Sequence, residues 1–428
     1  GERGCRGAGS GQVSLAEAAY RAAGVVLRPA LEAWARAGGA ERRARAGLVA
    51  AEPAGALWVH AASVGELGGV EAFLAALAAR RPGLPARLTL HTRTGLARAR
   101  AAGRVAELAP VDAAFAVRRR LARTRPAAVV VFETELWPAL LEEAGGRVPL
   151  SWVNGRISPR AFARYAAGRA LLRGGLAAVR AFAVQTGADA ERFVALGAPP
   201  ERVLVAGNLK HDRPAPAPLA RAALGLAADG PVAVLGSLRE GEEEAVLAAL
   251  AEARHALPQL VAVLAPRHPR EAARLAQGLA ARGVPFGRRT QGAVEARTLL
   301  LDSVGELAAA YTLAEVAFVG GSLAPRGGHD VMEPARAGCP VLFGPHTQHC
   351  AADCEALLAA GAAVRVADAR GLGRELAALP AEPARRTAMG AAAREVAGRS
   401  RGAAARALDW LERHGALPGA APAGEGPG

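Results

Sequence analysis

The sequence has little lysine, few aromatic residues and no long apolar run. Lysine occurs once, as Lys210, and the other 52 of the 53 basic residues are Arg. Replacement of Lys by Arg on this scale is a compositional bias, so the net charge of +14 is weak support for nucleic-acid binding. Because the sequence also lacks an RNP-like aromatic platform and a helix-turn-helix pattern, we expect no specific nucleic-acid partner. An acidic membrane surface or an anionic substrate agrees with the charge equally well.

Cysteine is also scarce. The four cysteines, Cys5, Cys339, Cys350 and Cys354, are too few and too unevenly spaced for a disulfide framework. Their scarcity indicates a reducing compartment and hence the cytoplasm. No run of 18 or more apolar residues is free of charge, and the first residues have no signal-peptide h-region. We therefore expect no membrane-spanning segment.

What is present is a repeated strand and helix pattern. The chain has 428 residues, of which 51% are hydrophobic and 4% aromatic, which suits two α/β domains of roughly 200 residues each with cores of Ala, Leu and Val. Short apolar strands alternate with Ala-rich helical stretches from Leu57, and the pattern restarts after the Pro-rich stretch 203–218. We predict two doubly wound parallel sheets, with a cleft between the domains at the carboxyl ends of their strands. The predicted segments are an N-terminal amphipathic segment (1–50), a first Rossmann-like domain (51–207), a hinge (208–230), a second Rossmann-like domain with C-terminal helices (231–416) and a disordered tail (417–428).

Residues 14–37 have helical periodicity that charged residues interrupt, and a basic stretch follows at 41–45. One interpretation is an amphipathic helix at an anionic lipid surface. The other is a surface helix packed on its own domain. The sequence leaves both open.

Two strand ends of the first domain carry glutamates. Ser63 and Glu66 follow the strand at Leu57, where they predict either a helix capping box or a general base at the cleft. Glu133 and Glu135 end a later strand and would share one face if the chain stays extended there. Arg156 is one candidate partner for them, and solvated loop charges are the alternative.

Lys210 lies in the predicted hinge. As the single lysine of an Arg-rich chain, it suggests a role that needs a compact point charge, although chance retention would also explain it.

The second domain has a pattern typical of phosphate recognition. Arg267 and His268 follow an apolar strand and offer cationic donors. Gly321 and Gly328 would let backbone N–H groups approach a phosphate, and Glu333 is placed to bind sugar hydroxyls. Together these residues predict a nucleotide-sugar site.

A zinc site is the remaining chemical candidate. His346, His349, Cys350 and Cys354 could supply four ligands, but they lack the paired CxxC spacing of structural zinc. We expect ordinary burial of these side chains and no metal.

Seven motifs over residues 58–348 match one family in order. They are WVHAASVGELGG, FETELWPALL, NGRISPR, GNLKHD, PRHPRE, DSVGELAAAY and GGSLAPRGGHDVMEPARAGCPVLFGPHTQ. The chain thereby resembles the 3-deoxy-D-manno-octulosonic acid (Kdo) transferases of lipopolysaccharide synthesis. The resemblance implies a GT-B glycosyltransferase of family 30 with an N-terminal acceptor domain, a C-terminal CMP-Kdo domain, inversion at the anomeric carbon, and neither metal nor cofactor.

The resemblance also implies roles for matching residues. Glu66 resembles the general base, and Lys210 with one of Glu133 and Glu135 resembles the transition-state stabilisers; we favour Glu133. For the donor CMP the predicted residues are Arg267, His268, Val304, Gly305, Glu306, Gly321, Ser322, Gly328, Asp330, Val331, Met332 and Glu333. For the acceptor they are Ser63, Gly65, Asn154 and Arg156.

The chain departs from the family pattern at three places. Asp330 stands where the family usually has Asn, and His349 with Cys350 replaces an Asn-aromatic pair. A negative charge beside the CMP phosphate would be unfavourable by about 1 kcal/mol unless Asp330 faces the ribose or is paired. The family's hydrophobic N-terminal anchor is interrupted by charge here, so tight membrane insertion is not expected.

The function predicted from this reasoning is transfer of Kdo from CMP-Kdo to a lipid A precursor (lipid IVA) at the cytoplasmic face of the bacterial inner membrane, where the protein is either peripheral or anchored by its N-terminus. Glu66 would accept the proton of the acceptor hydroxyl. Lys210 and the N–H groups of Gly321 and Gly328 would offset charge on the departing phosphate. Another GT-B enzyme, such as a UDP-sugar transferase or UDP-sugar 2-epimerase, is the alternative.

Overall fold

The computed structural model describes residues 15–212, 215–292 and 296–419. The chain forms two compact units: unit 1 comprises residues 1–212 and 401–428, and unit 2 comprises residues 213–400. The predictions for residues 1–14 and 420–428 lie outside the described residues.

Unit 1 is built on a parallel sheet. Its seven described strands are β1 (Leu57–Ala61), β2 (Ala86–Leu90), β3 (Ala106–Leu108), β4 (Ala128–Phe132), β5 (Leu150–Gly155), β6 (Ala181–Val184) and β7 (Val203–Val205). They lie in the order β3-β2-β1-β4-β5-β6-β7. The helices of the described part are α1 (Leu15–Arg36), α2 (Ala40–Arg45), α3 (Leu67–Arg80), α4 (Arg93–Ala101), α5 (Ala114–Thr124), α6 (Pro138–Gly145), α7 (Pro159–Ala167), α8 (Arg169–Ala178), α9 (Gly187–Leu196) and α17 (Ala403–Arg413).

Unit 2 repeats this architecture. Within its described residues the strands are β8 (Val232–Leu238), β9 (Val261–Pro266), β10 (Gly287–Arg288), β11 (Thr298–Leu300), β12 (Val316–Val319), β13 (Val341–Phe343) and β14 (Ala363–Arg365), in the order β10-β11-β9-β8-β12-β13-β14. Its helices are α10 (Glu243–Ala256), α11 (Ala272–Ala281), α12 (Leu307–Ala310), α13 (Met332–Ala337), α14 (Ala351–Ala359), α15 (Ala369–Ala381) and α16 (Pro383–Arg399).

The central strands explain why both sheets are parallel and covered. All five residues of β4 are buried, as are the first five of β8. A strand buried on both faces needs a continuous apolar run, which is what these segments supply. The predicted fold class, α/β with two doubly wound Rossmann-like domains, is confirmed.

The last helix differs from the predicted domain division. We assigned residues up to 416 to the second domain, but α17 packs in unit 1, where Leu408 and Leu411 share the core of Phe73 on α3. The carboxylate of Asp212 accepts hydrogen bonds from three backbone N–H groups at the start of this helix, those of Gly402, Ala403 and Ala404. The apolar face of an amphipathic helix does not specify which sheet will bury it.

Leu417, which the prediction places in the tail, is buried in the same core.

Helix α1 packs on unit 1 through one face only. The Tyr20 hydroxyl donates to Asp112, and the carboxylate of Glu32 pairs with Arg119 at 2.6 Å. On the other face, Val25 and Val26 are exposed at 71% and 76%. Helix α1 therefore has a face packed on its own unit, as expected of a surface helix, and an exposed apolar face, as expected of a helix at a lipid surface.

Candidate functional site

The predicted residues of unit 1 follow the carboxyl ends of neighbouring strands. Glu66 comes after β1, Glu133 directly after β4, and Asn154 lies at the end of β5. These three strands are adjacent in the sheet, and the carboxyl edge of a parallel sheet is where α/β proteins bind ligands. The sheet order thus gathers residues that are far apart in sequence.

Glu66 is a buried carboxyl group, 7% exposed, at the end of a short 3-10 helix (Val64–Glu66). Its Oε2 accepts a hydrogen bond of 2.8 Å from the N–H of Ala62. The capping box is not formed, because the Ser63 side chain makes no capping hydrogen bond. Burial, reinforced by the carboxylate of Glu133, raises the pKa of Glu66 from 4.5 to about 8. Such a carboxyl group is a stronger base than an ordinary glutamate once it has lost its proton.

Glu133 is held by Lys210 and Asn154. The Nζ of Lys210 donates to Glu133 Oε1 at 2.6 Å, and the Nδ2 of Asn154 donates to the same oxygen at 3.3 Å. The Oδ1 of Asn154 accepts from the N–H of Leu209, which fixes the residue before Lys210. The Asn154 side chain therefore connects Glu133, at the end of β4, to the segment that contains Lys210. The cation placed against Glu133 is Lys210 rather than Arg156.

Glu135 has different surroundings. The chain does not stay extended at Glu133, whose φ of 52° is in the left-handed region, so the alternation of an extended strand does not apply here. The Trp137 Nε1 donates to Glu135 Oε2 at 2.7 Å, and burial raises the pKa of Glu135. His60 lies 4.0 Å from the same oxygen, and burial lowers its pKa to about 3, so His60 is neutral. The charge of Glu133 also contributes to raising the pKa of Glu135, and both glutamates contribute to raising the pKa of Glu66.

The other predicted acceptor residues flank these groups. Ser63 is partly exposed and Gly65 is exposed beside Glu66. Arg156 follows β5, and its carbonyl accepts a hydrogen bond from the Thr134 hydroxyl. They lie at the carboxyl edge of the sheet with the three residues above.

In unit 2, the predicted donor residues also follow strand ends. Arg267 and His268 come after β9, Gly321 and Ser322 after β12, and 304–306 after β11. The sheet places β9, β8 and β12 side by side. Arg239, which follows β8 between them, was missed by the sequence analysis, although its position after an apolar strand is the same signal that singled out Arg267.

Arg239, His268 and His329 form a basic cluster with Arg267. The Nη1 of Arg239 lies 3.4 Å from His268 Nε2. Burial, followed by the charges of Arg267 and Arg239, lowers the pKa of His329 to about 4. The Nε of Arg239 and the Nε2 of His329 are buried and have no hydrogen-bond partner among the described residues. The Arg239 Nε also lies 3.9 Å from the Oε1 of Glu271. The guanidinium groups of Arg239 and Arg267 offer positive charge to an anionic ligand.

The glycine loop does not offer the N–H groups that we expected. The N–H of Gly321 donates to the Glu242 carboxylate at 2.6 Å, and that of Ser322 donates to it at 3.0 Å. The N–H of Gly328 donates to the carbonyl of Gly321 at 2.7 Å. In this structure, the donors that we assigned to the phosphate are occupied by the protein itself.

Asp330 is paired. Its Oδ1 accepts from the N–H of Met332 at 2.9 Å, and its Oδ2 accepts from Arg336 Nη2 at 3.0 Å. Val331 and Met332 are each 1% exposed, so their side chains belong to the core, whereas Glu333 is half-buried. The negative charge that departs from the family pattern is thus compensated within unit 2.

The remaining predicted donor segment is a turn after β11. Val304 is 72% exposed and Gly305 has a φ of 97°. The carboxylate of Glu306 pairs with Arg289 at 2.7 Å and accepts from the Ser303 hydroxyl. Arg289 and Ser303 therefore orient Glu306.

The zinc candidates do not converge in the described part of the chain, which holds no group of three or more His, Cys, Asp or Glu side chains suited to a metal ion. Cys350 and Cys354 lie with their sulfur atoms 3.6 Å apart.

The fold has counterparts among solved structures. A UDP-GlcNAc 2-epimerase from Neisseria meningitidis, bound to UDP-GlcNAc, aligns with a TM-score of 0.58 and covers 84% of this chain and 99% of its own. Its sequence identity of 14% means that the likeness shows the fold alone.

Sequence comparison is more specific. The family model of 3-deoxy-D-manno-octulosonic-acid transferase (kdotransferase) matches residues 38–213. A 3-deoxy-D-manno-octulosonic acid transferase of Bordetella pertussis is 38% identical over 390 residues, and one of Haemophilus influenzae is 31% identical over 385 residues. Each alignment covers 87% of this chain and 90% of the relative. The chain therefore belongs to the 3-deoxy-D-manno-octulosonic acid transferase family.

Proposed function

We propose that this protein transfers Kdo from CMP-Kdo to a hydroxyl group of a lipid A precursor, with Glu66 as the general base. The observation that carries the proposal is a buried carboxyl group of raised pKa beside the Glu133–Lys210 pair, in a chain of this family. Inverting transfer needs a base for the acceptor hydroxyl and a cation for developing negative charge. Unit 1 contains both at one edge of its sheet.

Glu66 acts in its ionised form. The acceptor hydroxyl loses its proton to the carboxylate while its oxygen bonds to the anomeric carbon of Kdo and the bond to CMP breaks. The electron pair of that bond leaves with the phosphate. A base whose pKa lies near 8 takes a hydroxyl proton more readily than an ordinary glutamate.

Lys210 supplies the compact charge. Its ammonium is held at 2.6 Å by Glu133 and is partly exposed, with 29% of its side chain accessible. The pair orients the ammonium before substrate arrives, so little reorganisation accompanies the reaction. In this proposal, Lys210 offsets the charge that grows on the phosphate.

The basic cluster of Arg239, Arg267, His268 and His329 is the proposed binding site for the phosphate of CMP. Arg239 and Arg267 supply its positive charge, and the buried Nε of Arg239 has no hydrogen-bond partner among the described residues, which supports an anionic ligand there. The alternative, a UDP-sugar enzyme, predicts that UDP stabilises the protein against thermal unfolding more than CMP does. We expect the reverse order.

An anionic membrane surface is the proposed location, at the cytoplasmic face of the inner membrane. None of the helices in the described ranges is both long and apolar enough to cross a bilayer. The open face of α1 carries Val25, Val26 and Leu27, with arginines beside them, as in interfacial helices.

Vesicle binding tests this location. We expect sedimentation with anionic but not with neutral phospholipid vesicles, and at least fivefold weaker binding when Val25 and Val26 are both changed to Ser. The control is Val105→Ser, which changes an exposed valine elsewhere on unit 1. Equal binding of the double variant and the parent would contradict a role for α1.

Product analysis tests the activity. The protein is incubated with CMP-Kdo and a tetra-acylated lipid A precursor, and the lipid is weighed by mass spectrometry. We expect a gain of one or more Kdo units together with release of CMP. Absence of Kdo-bearing lipid with a protein that is folded would contradict the proposal.

A further inference from the structure

Glu242 is a completely buried carboxyl group that takes no part in the proposed catalysis. It has 0% exposure, follows the turn after β8 and directly precedes α10. In the sequence it is one of four glutamates in the run 240–244, and the pattern does not distinguish it from its neighbours. Glu244, two residues later, has a side chain that is 82% exposed.

The carboxylate of Glu242 fills a cradle of backbone donors. Its Oε2 accepts from the N–H groups of Gly321 at 2.6 Å and Arg239 at 3.0 Å. Its Oε1 accepts from those of Ser322 at 3.0 Å, Leu323 at 2.8 Å and Ala324 at 3.3 Å. Five donors shared by two oxygens exhaust the accepting capacity of a carboxylate and compensate the cost of burying it.

Gly320 and Gly321 allow the backbone of this loop to lie close to the Glu242 carboxylate. A Cβ on Gly320 would lie 2.9 Å from the Glu242 Oε2 and 2.7 Å from the Leu238 Cα, closer than such atoms approach. Gly321 has a φ of +70°, which L side chains rarely adopt. The loop therefore needs glycine at both positions in order to close on the carboxylate.

The same contacts position the basic cluster. A Cβ on Gly321 would lie 2.9 Å from the His329 Cδ2 and 3.4 Å from the Arg239 Cγ, so Gly321 fits closely between these side chains. Glu242 holds the backbone of both Gly321 and Arg239 through one oxygen. A shift of its carboxylate would move both sides of the cluster.

We infer that Glu242 is a positioning residue for the donor site of unit 2. Its carboxylate occupies the backbone N–H groups that bind phosphate in comparable glycine loops. In this protein, the phosphate of the donor is bound by the side chains of Arg239, Arg267 and His268. For the identity of the ligand, CMP, this inference rests on the proposed function. The placement of the loop by Glu242 does not depend on it.

Amide hydrogen exchange of the free parent protein tests the cradle directly. Residues 321–324 belong to no helix or strand, yet we expect their amides to exchange as slowly as those of β12. In Glu242→Gln, one side-chain oxygen becomes an NH2 group that faces N–H donors, and we expect at least tenfold faster exchange of this loop. The matched control is Glu244→Gln, which changes an exposed carboxylate two residues along the chain, within α10, and should leave the loop unchanged.

Calorimetric titration with CMP tests the consequence for binding. We expect at least tenfold weaker CMP affinity in Glu242→Gln, and also in Arg239→Gln, which removes the proposed phosphate ligand and leaves Glu242 intact. Arg274→Gln is the control for the second variant, because Arg274 is an exposed arginine paired with Glu240. We expect the CMP affinity of both control variants to equal that of the parent.

Three outcomes would overturn the inference. The first is rapid exchange of amides 321–324 in the parent, which remains decisive if Glu242→Gln fails to fold. The second is parent-like CMP affinity of a folded Glu242→Gln whose loop has lost protection. The third is tighter CMP binding in that variant, which would make the cradle a phosphate site blocked by Glu242. Failure of the proposed function is seen separately, as absence of CMP binding by the parent.

Discussion

The Nζ of Lys210 lies 2.6 Å from the Oε1 of Glu133, which joins the single lysine of the chain to the end of β4. The two residues are 77 positions apart in sequence. Asn154 donates to the same carboxylate oxygen and accepts from the backbone just before Lys210. The lysine therefore has a defined partner and a defined position in unit 1, and this argues against retention by chance.

Lys210→Arg should lower the rate constant of Kdo transfer more than tenfold although the charge is conserved. The planar guanidinium cannot place a compact charge at the position of the ammonium beside Glu133. Lys210→Ala should lower the rate further. Affinity for CMP, measured by calorimetry, should change much less than turnover, because the proposed interaction strengthens as charge develops. A Lys210→Arg protein as fast as the parent would remove Lys210 from the mechanism.

Glu66→Gln should abolish transfer and leave CMP binding nearly intact. The amide keeps the shape and the acceptor for the Ala62 N–H, but it cannot accept a proton from the acceptor hydroxyl. Glu71→Gln, on the exposed face of α3 where Glu71 pairs with Arg104, is the matched control. Turnover of Glu66→Gln within tenfold of the parent would be incompatible with a general-base role.

Glu66→Gln should also change how stability depends on pH. The pKa of Glu66 is about 8 in the folded protein against 4.5 for the free group, so between these pH values the folded state binds a proton that the unfolded state has lost. The free energy of unfolding then falls as pH rises through this window, by at most about 1.4 kcal/mol per pH unit from this group. The Glu66→Gln variant lacks this pH-dependent contribution to the free energy of unfolding. Its melting temperature relative to the parent should rise from pH 5 to pH 8, and a constant difference would contradict the raised pKa.

Asp330→Asn should destabilise the protein by about 1–2 kcal/mol and change CMP affinity less than about threefold. The substitution removes the charge partner of Arg336, whose side chain is 6% exposed, while the capping acceptor for Met332 remains. The control is Asp229→Asn, which breaks a solvent-exposed pair with Arg297 and should leave stability nearly unchanged. Thermal unfolding and calorimetry measure the two effects. Much tighter CMP binding by Asp330→Asn would mean that the charge acts on the donor.

Purified protein should contain no stoichiometric zinc, and a chelator should leave transfer unchanged. The four sequence candidates do not form a ligand set in the described part of the chain. Elemental analysis measures the metal content. About one zinc per chain, lost in Cys350→Ser, would reverse this expectation.

The fold class and the family could be predicted from the sequence because both depend on local patterns. Continuous apolar runs such as Val129–Val131 require burial on both faces, and their alternation with helical stretches requires parallel strands. The same patterns place Glu66, Glu133 and Arg267 at strand ends. Arg239 carries the same signal and was overlooked, whereas no local pattern separates Glu242 from the glutamates around it.

The sequence by itself thus determined the two parallel sheets and the strand ends that carry the candidate chemistry. Only the tertiary structure decided which side chains meet there. Glu133 pairs with Lys210, the carboxylate of Glu242 fills the glycine loop, and α17 packs in unit 1. Each of these three contacts joins residues at least 70 positions apart in the sequence. The distance between such residues is set by the path of the backbone and not by the local residue pattern.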